Sequence, residues 1–393
     1  MTIKLCPTSI LLYAILPAIA SIPVCTAITV YVRPDNDHIH CPGEPCNLLS
    51  YYEQPNTRYF AWVSDTMMVF LNGVHYASQQ IIIENIENFT MVGSDGFTLG
   101  FEDLPEASSK IECVGTHRSG FNFINVTGLH IENLTFTYCG QEVVLTVRAV
   151  LAFDVVYNVN ISRVTVRNSS GFGLYADRVF GNVWVHESAF LYNTGSKEYY
   201  GGNALFRYGE CPEDHSTYTQ IESSYFLHGY DTLKLYNSFN VPATGLALLI
   251  LNCPLITLRI NNITALGNKG GNGGNLGVNL TSNLCSDKMP SIIINNSRIA
   301  SGAGQWGGGL SIFFLCQIPK KKICATKWIY KTFCTSQIHN FLVTMPPLKE
   351  VHCILATIRQ NRESQDHFPF NTALSVATVS QHLVMVQLWR LLR

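Results

Sequence analysis

The sequence predicts an all-β solenoid, a stack of parallel coils each built from short strands. Two observations carry that expectation. A strand-and-turn template recurs with starts near residues 129, 159, 183, 219, 258 and 292, at spacings of 24 to 39 residues. Helical periodicity is scarce before residue 312. Such spacing suits solenoid coils of ~20–45 residues with loops of varying length.

The template is apolar, any, apolar, any, then Asn or Ser, then another apolar residue one to three places on. Leu129, Ile131, Asn133, Leu134 and Phe136 give one copy; Val159, Ile161, Val164, Val166 and Asn168 give another. Val183, Val185, Ser188 and Phe190 repeat it, with weaker copies at Ile221–Phe226, Leu258–Ile263 and Ile292–Asn296. A second class of short strand follows glycines, as at Gly173, Gly201, Gly274 and Gly308. Alternation of period two turns one row of side chains inward. The breaks fall at Asn, Ser or Gly, which tolerate left-handed backbone and bond the turn with their side chains. No unit is long enough to bury its apolar row alone, so neighbours must stack. Eight or nine coils at ~4.8 Å make a rod of roughly 40 Å.

The ends differ from this body. Residues 1–27 read as a signal peptide: Lys4 precedes an apolar run from Ile10 to Ile22, interrupted by Pro17, and Cys25-Thr26-Ala27 offers a cleavage site. Residues 28–60 form a cysteine-containing N-terminal segment or cap, residues 61–312 the solenoid, and residues 313–393 a basic tail, read as a cap or as a poorly ordered or misjoined segment. No later stretch has the ~20 apolar residues of a transmembrane helix.

Composition narrows the function. Charged residues are 13% of the chain and hydrophobic residues 47%, an extracellular balance with amides and hydroxyls supplying polarity. The formal net charge of −1 conceals 10 basic against 3 acidic residues from Phe313 onward, and 16 against 24 before it. An acidic body argues against nucleic acid, which needs clustered Lys and Arg. Eight N-x-Ser/Thr sequons begin at Asn88, Asn125, Asn133, Asn160, Asn168, Asn262, Asn279 and Asn295. About half are expected to carry glycan, since inward asparagines stacked between coils also generate such triplets. Of the 13 cysteines, seven lie in the body: Cys41, Cys46, Cys113, Cys139, Cys211, Cys253 and Cys285. Cys41 and Cys46 enclose a Pro-Gly-Glu-Pro loop and are the expected local disulfide; seven is odd, so one is free or paired elsewhere.

Val69-Phe-Leu-Asn-Gly73-Val-His-Tyr76, then Ile81-Ile-Ile83, then Phe89-Thr-Met-Val92-Gly93 resembles the opening coil of right-handed parallel β-helix proteins. The later Asn/Ser/Phe repeats are similar to that group's later coils. The resemblance covers about residues 61 to 312 and implies the fold of the pectate-lyase-like superfamily, shared by many metazoan surface proteins. It is specific for architecture and poor for function. Enzymes on this fold act mainly on acidic polysaccharides, but the Asp-Asp pair, Gly-His-Gly and Arg-Ile-Lys of polygalacturonase-like hydrolases are missing; Leu258-Arg259-Ile260-Asn261 lacks the final Lys.

Pectate-lyase-like chemistry would draw on Asp154, Asp177, Glu187 and Asp231 with Arg163, Arg167, Arg178 and Lys234, and Asp177 and Asp231 are the named catalytic candidates. Arg163 and Arg178 are expected to point outward as a solvated face. Asp35, Asp37, His38 and His40 could bind a metal but lack an EF-hand pattern, so no metal site is expected. His186 and His228 read as hydrogen-bonded surface residues. Tyr175, Trp184, Tyr192, Tyr199, Tyr200 and Tyr208 are core rungs or sugar-stacking groups. The Gly-rich stretch Gly267–Gly277 lacks a phosphate-loop ending. The expectation is a secreted, glycosylated, non-enzymatic module for recognition or structure, with an extracellular glycan or protein as partner and no cofactor. The alternative is a polysaccharide lyase or hydrolase on an acidic glycan, and Ca²⁺ enters only there.

Overall fold

The computed structural model of the chain describes residues 27–343 with interruptions, the longest at 54–61, 232–242 and 283–289. The described residues form an all-β architecture whose strands pair mainly in parallel; a single 3₁₀ turn at Leu49–Tyr52 is the one helical element among them. The segment expected to be a signal peptide, residues 1–27, lies outside the described residues apart from Ala27.

Three inward rows of side chains organise the core. The chain meets them in a fixed order, which the strand Val147–Arg167 illustrates. Its Leu151 pairs with Phe121 and Leu174 in the first row. Its Ile161 pairs with Ile131 and Val185 in the second, and its Val166 with Phe136 and Phe190 in the third. The next strands then return to the first row at Ala204, Leu246, Leu276 and Leu310. The second row runs Val30, Met68, Met91, Ile131, Ile161, Val185, Ile221, Ile260 and Ile294 in unbroken parallel register. All nine are buried. The β-branched and unbranched aliphatics there fit a pleated surface with cross-strand neighbours on both sides. Burying each contributes about 1.5–3 kcal/mol. His75, in register with Ile111, is a polar residue in the third row and is fully buried. Its Nε2 bonds Leu71 O at 2.7 Å and its ring meets Phe70 edge-on.

The direction changes between rows fall on residues in the left-handed region. Asn133, Arg163, Glu187, Ser223, Asn262 and Asn296 form one such corner, with φ between 47° and 53°. Tyr138, Asn168, Tyr192, His228 and Ser301 form another. At a third, Gly128 and Gly181 hold φ of 75° and 71°, and a Cβ there would meet Asn88 Oδ1 at 2.7 Å and Asn158 Oδ1 at 2.5 Å. Glycine is required at both by conformation and by space.

Inside, polar side chains stack as well. Asn203 Oδ1 accepts from Asn193 Nδ2 at 3.0 Å, and Asn203 Nδ2 donates to Asn268 Oδ1 at 2.8 Å. Asn268 Nδ2 donates in turn to Asn275 Oδ1 at 2.7 Å, and Asn275 Nδ2 to Ala300 O at 2.7 Å. All four asparagines are fully buried. Each side-chain amide thus has donors and acceptors in its neighbours, which is what makes burial tolerable.

Three disulfides reinforce the stack. Cys41–Cys46 is the expected local pair. Cys113–Cys139 and Cys211–Cys253 each link positions at or just past the ends of register-paired strands. Cys285, the seventh body cysteine, lies outside the described residues.

Among the described residues antiparallel pairing is confined to the hairpin of Gln141–Val144 with Val147–Arg167, the pair Phe97–Leu99 with Pro105–Ala107, and the C-terminal end. There Leu310–Ile318 pairs in parallel with Leu276–Ser282, and Lys322–Ile329 folds back against it. Ser336–Val343 pairs antiparallel with Ser291–Ala300.

Candidate functional site

Outward side chains of the strands that carry the first row form two lines. Ala152, Tyr175, Leu205 and Ala247 make an apolar line, covered by Val147, Phe172, Tyr200 and Ala243. Beside it Asp154, Asp177 and Arg207 stand in register. Arg178, at a left-handed corner, pairs with Asp154, and Arg207 Nη1 lies 3.3 Å from Asp177 Oδ2. Burial raises the Asp177 carboxyl above the usual range, and the charges of Arg207 and Arg178 offset part of that. Burial likewise pushes the Tyr175 hydroxyl up. The outward reading of Arg178 and Arg163 holds: both guanidiniums reach a carboxylate on the neighbouring pass, Asp154 and Glu132. Arg167 reaches back to Glu106 at 2.7 Å.

Asp231, the other catalytic candidate, is nearly buried on a different line of the surface, and its backbone N–H donates to Lys269 O at 3.0 Å. Its charge acts on the Tyr200 hydroxyl, which burial raises first. Glu187 occupies a corner at φ 49°. Lys234 lies outside the described residues. Two carboxylates each tied to an arginine form a cross-strand ion-pair lattice.

The strands that carry the second row present an open face. Trp184 is 44% exposed and stands in register between Asn160 and Gln220. Its Nε1 donates to Glu222 Oε1 at 3.2 Å, and its ring packs on His186 with centroids 4.8 Å apart. Gln220 Nε2 donates to Glu222 Oε2 at 2.7 Å, and Tyr218 OH donates to Gln220 Oε1 at 3.0 Å. Arg259 follows Gln220 in register and is exposed. Further along, His130 lies 2.9 Å from Glu132. Partial burial would raise the Glu132 carboxyl, but the hydrogen bonds and charges of His130 and Arg163 outweigh it and hold it low. This side-chain platform joins an exposed ring to a connected set of amide, hydroxyl and carboxylate groups. Reading the sequence singled out Trp184 and His186 but not Tyr218, Gln220 and Glu222; their i, i+2 spacing on an alternating strand was the available signal.

The other aromatic candidates divide. Tyr208 is an inward residue, its hydroxyl 2.8 Å from Thr219 Oγ1 and its acidity suppressed by burial. Tyr175 belongs to the apolar line and Tyr200 to its cover. Tyr192 stacks on His228 at 4.9 Å, both at left-handed corners. Tyr199 lies outside the described residues.

Sequon asparagines also divide. Asn88, Asn125, Asn168 and Asn262 are exposed left-handed corner residues. Asn160 and Asn295 are half-buried on the open face, whereas Asn133 and Asn279 are 6% and 4% exposed. None of the inward stacked asparagines belongs to a sequon. In the N-terminal loop Asp35 Oδ2 accepts from the Tyr76 N–H at 2.8 Å; Asp37 and His38 lie outside the described residues, and His40 is exposed. Among the described residues no group of three or more His, Cys, Asp or Glu is arranged to hold a metal. No described helix is long and apolar enough to cross a membrane. Compared with known proteins, the chain matches no family model, no curated protein and no solved structure.

Proposed function

We propose that the chain is a secreted, N-glycosylated right-handed parallel β-helix that serves extracellular recognition without catalysis. The order in which the chain revisits its three inward rows supports a solenoid, and the strong right-handed preference of parallel crossovers supplies the hand. Disulfides favour an oxidising compartment. The antiparallel C-terminal strands act as a cap over the last pass, whose edge would otherwise recruit other chains.

One observation carries the functional reading. The exposed aromatic and its polar neighbours stand on an open face, while the candidate carboxylates Asp154 and Asp177 are engaged by Arg178 and Arg207. A platform of this kind suits an extracellular glycan or protein. The raised Asp177 carboxyl is the one feature that favours the second reading, a polysaccharide lyase or hydrolase on an acidic glycan. Assay of the secreted chain on polyuronides, with and without added Ca²⁺, separates the two. The expected result is neither sugar release nor unsaturated product. Turnover abolished by Asp177→Ala or Asp231→Ala would overturn the non-enzymatic reading.

A further inference from the structure

The geometry points to an uncharged glycan chain as the ligand of the Trp184 platform, with a sugar ring stacked on the indole and its hydroxyls met by Gln220, Glu222 and Tyr218. This rests on the recognition reading above and names the ligand class. The indole is held in place before any ligand arrives, by its bond to Glu222 and by the tilted His186 ring packed against it. A preset aromatic loses little conformational entropy on binding. Its register neighbours are Asn160 and Gln220, both amides. The apolar area is therefore one ring in a polar surround. A protein hot spot calls for a contiguous, desolvated apolar cluster, which this face does not offer. A pyranose offers an apolar C–H face with a hydroxyl rim, the same pattern in complement.

Charge selects against a polyuronide. Glu222 is held by neutral donors, Gln220 and Trp184, and Glu187 follows His186 at an exposed corner. Arg259, in register with Gln220, is the cation on this line among the described residues. Farther along the face, Glu132 is already matched by Arg163. A chain bearing a carboxylate on each sugar meets more negative than positive charge here. The same geometry sets a condition on the protein's own modification. Asn160 stands one rung from Trp184 in the same line, so a glycan on Asn160 would cover the indole.

The test is calorimetric titration of the secreted full-length chain with cellohexaose, mannohexaose, chitohexaose and an oligogalacturonate, beside glycopeptide mapping. Trp184→Ala and Glu222→Gln are both surface changes, and unchanged circular dichroism confirms their folding. Expected are binding to at least one neutral hexamer, roughly tenfold or greater weakening in Trp184→Ala, and an unmodified Asn160. Binding of the oligogalacturonate alone, lost in Trp184→Ala, would overturn the uncharged class while leaving recognition at this face standing. Binding indifferent to Trp184→Ala, no binding to any of the four, or a fully glycosylated Asn160 would each overturn the assignment.

Discussion

Val155 holds φ of 56°, a backbone region that costs a β-branched residue about 1–2 kcal/mol. Its register neighbours at the same corner are Asn125 and Arg178, also left-handed. The stacked strands on both sides impose the conformation. Val155→Asn is therefore expected to stabilise the protein by about 1 kcal/mol, seen as a higher urea midpoint at unchanged slope. A lower midpoint would show that packing of the isopropyl group outweighs the strain. Asn268 carries the opposite sign. It bridges Asn203, Asn275, Phe226 O and the Gly229 N–H. Asn268→Ala orphans several buried groups at once, and a loss of about 3 kcal/mol or more is expected in the same measurement. These corners also show where the sequence stopped being readable. Asn133, Asn168 and Ser223 announced their breaks, because such residues tolerate the turn. Val155, Arg163, Arg178 and Glu187 did not, because there register overrides local preference.

At the scale of elements, the strands were legible wherever alternation coincided with a following Asn or Ser. Leu129–Phe136 and Val159–Val166 fall on strands as read. The disulfides beyond Cys41–Cys46 were not assigned, although Cys211 and Cys253 each stand three residues past register partners, Tyr208 and Ile250. That offset is visible only once the passes are aligned. The open face was half legible: alternation showed which residues point outward, but only pairing brought Trp184 beside Gln220 and Glu222. His75 gives an element of the N-terminal region a pH response. Burial lowers its pKa, against partial support from hydrogen bonds to the backbone of Leu71 and Arg33 and from the charge of Asp35. The folded state thus resists a proton that the unfolded chain takes up near pH 6.5. Stability from neutral His75 is complete above about pH 6.5 and is lost as pH falls from there through the folded pKa. Urea midpoints from pH 7.5 to 5.5 should fall more steeply for the native chain than for His75→Gln. Parallel profiles would remove His75 as the cause.

Across the whole molecule, the described residues combine parallel strands, three disulfides and sequons at two kinds of place. Glycopeptide mapping of the chain expressed through a secretory pathway is expected to find glycan at Asn88, Asn125, Asn168 and Asn262, and none at Asn133 or Asn279 in the folded protein. Glycan at the buried pair would be incompatible with the packing around them. The most direct measurement is a crystal structure of the chain. The expected result places Met91, Ile131, Ile161, Val185, Ile221, Ile260 and Ile294 in one inward line, at parallel steps of ~4.8 Å, on a right-handed coil. Antiparallel hairpins across those residues, or a ring of strands in which the last pairs with the first, would contradict it.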